Sequence, residues 1–307
     1  MVAGAVGADR VIGVDLGGTK IAAGVVRRDG TIGERCERLT PLESQEELLE
    51  ALDAVVEGLG DASAIGFGIP STIDQRTGRA ISSVNIPLAH VDFRDRMKKR
   101  FGIPVAIDND GNAAAIAEWA VGAGRGTSDL IGLVLGTGVG GGLILGGKPY
   151  RGSVGAAAEL GHIVIVHDGP PCQGACTGRG HLEALCSGHA ADKIARELLG
   201  PDADAHRLVT RAREGDDAAR EALAGIGRYL GSAIGSFVNV FNPELVVVGG
   251  GFGMAAGELL LGPAREIVAR EALSPGREIV RIVPAVLGPD AGLIGAGLVG
   301  FEALEAA

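Results

Sequence analysis

The hydrophobic and polar positions of this chain divide it into short apolar runs and longer segments with helical periodicity. Two of the apolar runs, at residues 12–26 and 131–145, share one design: an apolar strand, a tight turn rich in glycine and threonine, and a second apolar strand. A shift that brings residue 12 onto residue 131 also superposes Gly17 on Gly136. Each run therefore predicts a β-hairpin, and the pair forms an internal repeat.

Between and after the hairpins, apolar residues recur at helical spacing in several segments and form short strand-like runs in others. Helices are predicted at residues 45–59, 93–101, 112–121, 188–199, 204–213, 216–240 and 293–305. Strands are predicted at residues 64–70, 105–107, 245–248 and 279–286. Because strands alternate with helices, the pattern predicts an α/β protein with mixed sheets and ligand sites at the strand ends.

Composition narrows the class of protein. Hydrophobic residues make up 46% and charged residues 21% of the 307 residues, as in a globular protein with room for two lobes. The net charge of −10 and the aromatic content of 3% argue against nucleic acids and anionic membranes as partners. The 18 residues 130–147 carry no charge but include eight glycines, which favours a buried hairpin over a membrane helix.

The first residues and the cysteines bear on the compartment. Residues 1–9 lack a basic stretch followed by a long apolar core, so no secretory signal is expected. The four cysteines then indicate a reducing, cytoplasmic setting, in which clustered thiols bind metal more often than they form disulfides. Cys36 and Cys186 lie outside the cluster and are expected to be ordinary buried thiols.

The two Gly/Thr turns are the first candidate site. Glycines let backbone N–H groups converge on an anion, and a threonine adds a hydroxyl donor. Two such turns predict that two lobes bind one polyphosphate from opposite sides; the alternative is a pair of ordinary glycine-rich hairpins. The turn residues are Gly17, Gly18 and Thr19 in the first copy and Gly136, Thr137 and Gly138 in the second.

Several motifs in this chain resemble those of one known family. Asp15-Leu-Gly-Gly-Thr19 and Leu135-Gly-Thr-Gly-Val-Gly-Gly141 resemble the two phosphate motifs of the actin-like ATPase and sugar-kinase superfamily, and Val246-Val-Val-Gly-Gly-Gly251 resembles its adenosine motif. Narrower marks are Asn109-Asp-Gly-Asn112, Glu159-Leu-Gly-His162 and a Cys-rich run that ends in Gly180-His-Leu-Glu183. With the motifs in family order over essentially the whole chain, the sequence resembles the ROK family of repressors and sugar kinases.

This resemblance implies two actin-like (ribonuclease H-like) lobes with mixed β-sheets flanked by helices and a ligand cleft between them. The N-terminal lobe is expected to span residues 1–122 and to be completed by the C-terminal helix, residues 293–307. The C-terminal lobe is expected to span residues 123–292. The resemblance also implies a homodimer or homotetramer.

The resemblance implies roles for individual residues in phosphoryl transfer. Asp110 matches the base that accepts the proton of a sugar hydroxyl. Asp15 is suited to hold Mg²⁺ through water beside the phosphates, and Lys20 is either a phosphate contact or a solvated strand residue. The positions that match sugar contacts are Asn85, Asn109, Asp110, Glu159, His162 and Glu183. The positions that match nucleotide contacts are Asp15, Gly17, Gly18, Thr19, Lys20, Gly136, Thr137, Gly138, Gly249, Gly250 and Gly251.

The Asp/Asn cluster around Asp110 has a structural alternative. Such residues commonly cap a helix, here the helix predicted at residues 112–121, with Asn112 as the cap. Such a cap is compatible with catalysis by Asp110. Asp108 lies one residue before the Asn109-Asp-Gly-Asn112 motif and is expected to have a structural role only.

The Cys/His-rich run offers ligands for a second metal. Two thiols and two imidazoles are the donor set of a closed tetrahedral Zn²⁺ site. The run departs from the usual family pattern Cys-x-Cys-Gly-x-x-Gly-Cys-x-Glu, because Gly174 stands at the first cysteine and His181 at the third. Cys172, two residues early, is expected to compensate through a longer loop. The predicted zinc ligands are His162, Cys172, Cys176 and His181.

As an activity, the resemblance implies an ATP-dependent hexokinase, most similar to glucokinases, that makes glucose 6-phosphate. A kinase for N-acetylglucosamine, N-acetylmannosamine, mannose or fructose is an open alternative, and so is polyphosphate as the phosphoryl donor. The alternative of another class is a sugar-responsive regulator or a non-catalytic sugar-binding protein. The first hairpin begins about ten residues from Met1, so a DNA-binding domain ahead of it is not expected.

Overall fold

The structure is a computed structural model that describes residues 10–306. Residues 1–9, on which the expectation about a secretory signal rests, lie outside the described residues, as does Ala307. The chain folds into two compact units. Unit 1 is formed by the chain up to Val121, by Pro149–Ala158 and by the chain from Asp290 onward, and unit 2 by Gly122–Lys148 and Glu159–Pro289.

The strands and helices follow one another in the alternation that the sequence predicts. The strands are β1 (Val11–Leu16), β2 (Lys20–Val26), β3 (Ile32–Leu39), β4 (Ala64–Ile69), β5 (Thr72–Asp74), β6 (Arg79–Ser82), β7 (Val105–Asn109), β8 (Leu130–Leu135), β9 (Val139–Leu145), β10 (Lys148–Pro149), β11 (Leu245–Gly249) and β12 (Arg281–Pro284). The helices are α1 (Gln45–Gly58), α2 (Phe93–Phe101), α3 (Asp110–Ala120), α4 (Leu182–Cys186), α5 (Gly188–Leu199), α6 (Ala205–Arg213), α7 (Asp217–Phe241), α8 (Gly251–Ala256), α9 (Glu258–Glu271), α10 (Gly276–Ile279) and α11 (Ala291–Glu305).

Unit 1 is built on a five-stranded sheet with the order β3-β2-β1-β4-β7. Strand β1 pairs antiparallel with β2 and parallel with β4, and β4 pairs parallel with β7. Alternate residues of β1 face opposite sides of the sheet: Ile12 joins the core formed with α1 and α2, whereas Val11 packs against Phe301 of α11.

Helix α11 lies unusually close to this sheet because glycines line the contact. A Cβ built on Gly66 of β4 would collide with the backbone of Ala296 and Gly300 in α11. Since any side chain at that position would push the helix away, glycine is required there. The close approach brings the first turn of α11 beside the end of β1.

Unit 2 repeats the same scheme with the sheet order β10-β9-β8-β11-β12. Strand β8 pairs antiparallel with β9 and parallel with β11, and β11 pairs parallel with β12. The 25-residue helix α7 buries an apolar stripe that includes Leu223, Leu230 and Ile234. The expected α/β class with two mixed sheets flanked by helices is therefore confirmed.

The duplicated hairpin is confirmed in both units, since β1–β2 and β8–β9 each pair up to the last residue before the turn. The late strand is shorter than predicted, because residues 276–279 form α10 and pairing with β11 begins only at Arg281. Within residues 10–306, no helix is long and apolar enough to cross a membrane.

The segment Pro149–Ala158 differs from the sequence-based boundaries, which assign residues 123–292 to a single lobe. It belongs to unit 1. Its Arg151 forms an ion pair with the buried Asp108 at the end of β7, and the Val154 carbonyl accepts a 2.8 Å hydrogen bond from Gln75 N. These long-range contacts hold the segment against the first sheet.

Candidate functional site

The first Gly/Thr turn joins β1 to β2 in unit 1. Gly17 N donates to Lys20 O at 2.9 Å, and the Thr40 hydroxyl donates to Gly17 O at 2.8 Å, so the turn is fixed from within and from the strand beside it. A Cβ on Gly18 would stand 3.6 Å from Asn85 Cβ. The structure therefore brings a predicted sugar-binding residue next to a predicted phosphate-binding glycine.

Thr19 and Lys20 complete this turn and are exposed. Thr19 O accepts a 3.0 Å hydrogen bond from Thr40 N. Lys20 Nζ lies 3.0 Å from Glu37 Oε1 on β3, an exposed pair that stabilises the fold little. The Lys20 ammonium group is thus paired with Glu37 in this structure.

Asp15 lies near the carboxyl end of β1, one residue before the strand ends at Leu16. Burial and the nearby Asp110 carboxylate raise the pKa of Asp15 from 3.8 to about 7, and Lys20 acts in the opposite direction. On its other side, a Cβ built on Gly292 in the first turn of α11 would overlap the Asp15 carboxylate. The carboxylate is therefore packed directly against helix backbone and shares its surroundings with a second acid.

Asp110 is the first residue of α3, and its Oδ1 accepts a 2.9 Å hydrogen bond from Gly111 N. The Asp/Asn cluster caps this helix, but through Asn109 and not through Asn112. Helix α3 begins two residues earlier than predicted, and the Asn109 side chain caps it by accepting from Gly111 N at 2.9 Å and Asn112 N at 3.4 Å. Asn109 Nδ2 also lies 3.5 Å from Ser71 O. The cap and the candidate base are thus adjacent residues.

Asp108 is fully buried, in keeping with the structural role expected for it. Its carboxylate accepts hydrogen bonds from Asn109 N, Asn112 Nδ2 and Arg151 Nε at 2.8, 2.9 and 2.6 Å. Sequence reasoning missed Arg151. The available signal was the acid itself, because a carboxylate on an apolar strand needs a cationic partner when it is buried.

The second Gly/Thr turn joins β8 to β9 in unit 2. Gly136 N donates to Gly138 O at 2.9 Å, and Gly136 O accepts a 2.8 Å hydrogen bond from Gly188 N at the start of α5. Thr137 O accepts from His189 N at 3.3 Å and from Gln173 Nε2 at 3.2 Å. The carbonyl groups of this turn are therefore bound by protein donors.

Glu183, a predicted sugar contact, lies directly against this second turn. Its Oε2 accepts a 2.9 Å hydrogen bond from Val139 N. A Cβ on Gly138 would overlap the same oxygen. Glycine at position 138 therefore allows the carboxylate to reach the backbone of the turn.

The predicted adenosine motif ends β11 in the same unit. Gly250 has φ of 83°, and a Cβ built on it would stand 2.5 Å from Leu135 O. Glycine is required there both by the left-handed backbone and by the close approach of β8. Gly249 ends the strand and Gly251 begins α8. The motif is thus packed against the strand that carries the second turn.

The Cys/His cluster, defined as His162, Cys172, Cys176 and His181, is brought together by the fold of unit 2. Its four donor atoms all lie within 4.8 Å of one another. The His162 and His181 Nδ1 atoms are 3.3 Å apart, and Cys176 Sγ lies 3.5 Å from His181 Nδ1. Cys172 Sγ lies 3.8 Å from His162 Nδ1.

These separations can be compared with the edges of a tetrahedral zinc site. With Zn–S near 2.3 Å and Zn–N near 2.0 Å, neighbouring donors are roughly 3.3 to 3.8 Å apart. Burial raises the pKa of the Cys172 thiol to about 12; the hydrogen bond from the Gln173 backbone lowers this pKa, and Cys176 and Glu183 each raise it by less. A cation among these donors would stabilise the thiolates, so the donor set fits a divalent metal.

The remaining predicted sugar contact, Glu159, precedes the 3₁₀ turn Leu160–His162. Burial of its carboxyl group raises the pKa of Glu159, His162 lowers it, and Glu183 raises it further. Glu159, His162 and Glu183 therefore form one electrostatically coupled group in unit 2. Of the two thiols outside the cluster, Cys186 is fully buried and Cys36 is half-buried.

Comparison with known proteins places this geometry in context. A glucokinase of Thermotoga maritima is 38% identical over 94% of this chain and 96% of its own length. An N-acetylmannosamine kinase of Shigella flexneri is 35% identical over 94% of this chain and 97% of its own length. The crystal structure of a ROK family glucokinase from Streptomyces griseus in complex with glucose and AMPPNP has a TM-score of 0.83 and 35% identity, covering 95% of this chain and 99% of that one.

The sequence profile of the ROK family matches residues 11–300, and that range contains both Gly/Thr turns, the Asn109–Asp110 pair, the Cys/His cluster and the predicted adenosine motif. The chain belongs to the ROK family.

Proposed function

We propose that the protein is an ATP-dependent hexokinase that phosphorylates glucose at its 6-hydroxyl. The observation that carries this proposal is the electrostatic coupling of Asp110 to Asp15 beside the first Gly/Thr turn. Phosphoryl transfer to an alcohol needs one acid to accept the hydroxyl proton and another to attract a metal to the phosphates. The similarity to glucokinases, one of them solved with glucose and AMPPNP, supports the same activity.

In this mechanism Asp110 accepts the proton of the attacking hydroxyl as the bond to phosphorus forms. Asp110 is half-buried at the start of α3, where Gly111 N donates to its Oδ1. The other hexose hydroxyls are assigned to groups that can accept and donate hydrogen bonds. These are Asn85 and Asn109 in unit 1 and Glu159, His162 and Glu183 in unit 2.

The nucleotide is assigned to the glycine-rich backbone. The first turn (Gly17, Gly18 and Thr19), with Lys20 beside it, binds the transferred phosphoryl group. The second turn (Gly136, Thr137 and Gly138) binds the remaining phosphates. The adenosine moiety is assigned to Gly249, Gly250 and Gly251.

Mg²⁺ is implied by this chemistry, and the residues of unit 1 fit it. The Asp110 carboxylate raises the pKa of Asp15, so the two acids concentrate negative charge, which a divalent cation would neutralise. Asp15 would hold the ion through water molecules, as is usual for Mg²⁺ beside phosphates. When bound, the ion supplies charge stabilisation to the transferring phosphoryl group.

A structural Zn²⁺ ion is proposed at the Cys/His cluster, on the donor separations given above. Its ligation by Nδ1 of His162 would leave Nε2 of that ring to face the hexose. The cluster would thereby order a loop that carries one sugar contact and ends at another, Glu183. The protein is also proposed to act in the cytoplasm as a homodimer or homotetramer, as the resemblance to ROK kinases implies.

A coupled assay that crosses sugars with donors tests the activity. Glucose, mannose, fructose, N-acetylglucosamine and N-acetylmannosamine are each supplied with ATP or with polyphosphate. Glucose with ATP is expected to give the highest kcat/KM. The N-acetylated sugars belong in the panel because the Shigella relative is named for one of them. Greater activity with an N-acetylated sugar would make the protein an amino-sugar kinase.

The variant Asp110→Asn tests the mechanism in the same assay. It is expected to lower kcat by roughly 10²–10⁴-fold, which is the usual contribution of a general base. The matched control is Asp95→Asn, the same chemical change at an exposed position of α2 in the same unit. If Asp110→Asn retained a tenth of the wild-type kcat at saturating substrates, the assignment of the base would be wrong.

A further inference from the structure

The buried Asp108 is bonded to the residues that flank Asp110. Two of its three hydrogen-bond donors, Asn109 N and Asn112 Nδ2, belong to the turn that begins α3, at 2.8 and 2.9 Å. The third donor, Arg151 Nε at 2.6 Å, supplies the only positive charge in this set. Asp108 therefore connects Arg151 to both sides of the candidate base.

Arg151 is itself held in place by a second acid. Its Nη2 donates to both carboxylate oxygens of Glu302 on α11, at 3.0 and 2.8 Å. With Nε on Asp108, the planar guanidinium spans two carboxylates from two elements, a geometry that the single ammonium group of lysine does not reproduce. About three quarters of the side chain is shielded from solvent, since 23% of it is exposed.

The segment that carries Arg151 is fixed at a second point near the same strand end. Val154 O accepts a 2.8 Å hydrogen bond from Gln75 N. The Gln75 side chain in turn donates to Ile107 O at 2.8 Å, one residue before Asp108. The backbone of the segment Pro149–Ala158 therefore helps to orient the Arg151 side chain toward β7, in addition to its bonds to Asp108 and Glu302.

We propose that Arg151 is a positioning residue for the phosphoryl transfer proposed above: through Asp108 it fixes the turn that presents Asp110 to the sugar hydroxyl. This inference rests on the proposed function. A buried carboxylate that loses its cation must gain a proton or find other donors. In either case its bonds to Asn109 N and Asn112 Nδ2 change, and the base between them moves.

Two arginine variants and one control separate positioning from general stability. Arg151→Gln removes the positive charge. Arg151→Lys keeps the charge but replaces the planar guanidinium with a single ammonium group. The control Arg96→Gln breaks another two-point ion pair in the same unit. There Nη1 and Nη2 of Arg96 each donate to an Asp53 carboxylate oxygen at 2.7 Å, which joins α2 to α1. The first readout is the set of kcat and KM values for glucose and ATP. The second is amide hydrogen exchange at Gly111 and Asn112, whose N–H groups donate to Asn109 Oδ1.

Arg151→Gln is expected to lower kcat at least about tenfold while the KM of ATP changes less than about twofold, because only the transition state uses the aligned base. Arg151→Lys is expected to recover part of the loss, and Arg96→Gln to retain kcat. Exchange at Gly111 and Asn112 should accelerate in Arg151→Gln and stay as in the wild type in Arg96→Gln.

Three results would overturn the inference. The first is an unchanged kcat in Arg151→Gln. The second is unchanged exchange at Gly111 and Asn112 in Arg151→Gln. The third is faster exchange spread evenly over unit 1, which would make the ion pair a general stabiliser. If the wild-type protein phosphorylated none of the sugars, the proposed function would fail, whereas the exchange measurement would still decide whether Arg151 orders this turn.

Discussion

Replacing Gly138 by alanine is expected to weaken hexose binding, although this glycine belongs to a turn that is proposed to bind phosphate. A Cβ at position 138 would overlap Glu183 Oε2. To regain ordinary van der Waals separation, the carboxylate must retreat by more than ~1 Å. That movement breaks the 2.9 Å hydrogen bond that Val139 N donates to the same oxygen. Since Glu183 is one of the proposed sugar contacts, a substitution in the turn should weaken sugar binding.

The size of the effect follows from the bond that is lost. A hydrogen bond to a charged group contributes about 1.5–3 kcal/mol. The displaced carboxylate should also lose its proposed hydrogen bond to a sugar hydroxyl, which is of comparable strength. Because about 1.4 kcal/mol corresponds to a factor of ten, kcat/KM for glucose should fall by roughly 10- to 150-fold. The hydrogen bonds at Gly136 do not involve Glu183. The same Cβ would stand 3.3 Å from Gln173 Nε2, which donates to Thr137 O, so this bond must adjust slightly and the KM of ATP should change less than that of glucose.

Gly136 provides a matched control within the same turn. A Cβ at position 136 would meet no described atom within 4 Å, and neither glycine has a positive φ that would exclude alanine. Gly136→Ala therefore leaves Glu183 in place, but it adds a methyl group where the phosphates are proposed to bind. It should raise the KM of ATP and spare that of glucose. Initial rates with each substrate varied at saturation of the other measure both effects. The reasoning fails if the two variants have the same kinetic profile, or if Gly138→Ala affects only ATP.

Two further predictions concern metal and pH. Protein purified without chelator should contain about one Zn²⁺ per chain by elemental analysis. Cys176→Ser should lower the zinc content, and the control Cys36→Ser should not. A folded, active protein without zinc would contradict the proposed site. The pKa of Asp15 is raised from 3.8 to about 7, so between these values the folded protein binds the proton more tightly than the unfolded chain. The free energy of unfolding of the metal-free protein should therefore fall as the pH rises through this window, and Asp15→Asn should flatten the dependence; thermal melts of both proteins with the same pH slope would refute this.

Much of the fold was predictable because its strongest signals are local. The two hairpins follow from apolar runs around glycine-rich turns, and most helices follow from apolar periodicity within their own sequence. Strand β3 was missed for a related reason. Its residues, Ile-Gly-Glu-Arg-Cys-Glu-Arg-Leu, are mostly exposed at the sheet edge, so no hydrophobic face marks the strand. An edge strand is stabilised by pairing with its neighbour, which local hydropathy does not record.

The start of α3 and the place of Pro149–Ala158 depend on interactions that the sequence does not display. Either Asn109 or Asn112 could cap a helix by residue type, and the choice of Asn109 follows from the end of β7. The segment joins unit 1 through Arg151 and Asp108, which are 43 positions apart. By contrast, the four members of the Cys/His cluster were predicted from donor type and spacing together with the family pattern, and the fold brings their donor atoms within 4.8 Å of one another.

Each unit pairs a candidate acid with a glycine that leaves room for it. In unit 1 the Asp15 carboxylate occupies the space that a side chain at position 292 would fill, and in unit 2 Glu183 occupies the space beside Gly138. In both cases the missing Cβ lets a carboxylate approach backbone, where low solvent access strengthens its interactions and raises its sensitivity to displacement. A glycine in these motifs can therefore meet two separable requirements: an open turn for the anion proposed above, and space for an acid of the protein. The structure shows the second requirement at Gly138 and at Gly292, whereas a Cβ at Gly136 would meet no described atom within 4 Å. A sequence motif that only requires glycine at these positions does not distinguish an open turn from space for a carboxylate.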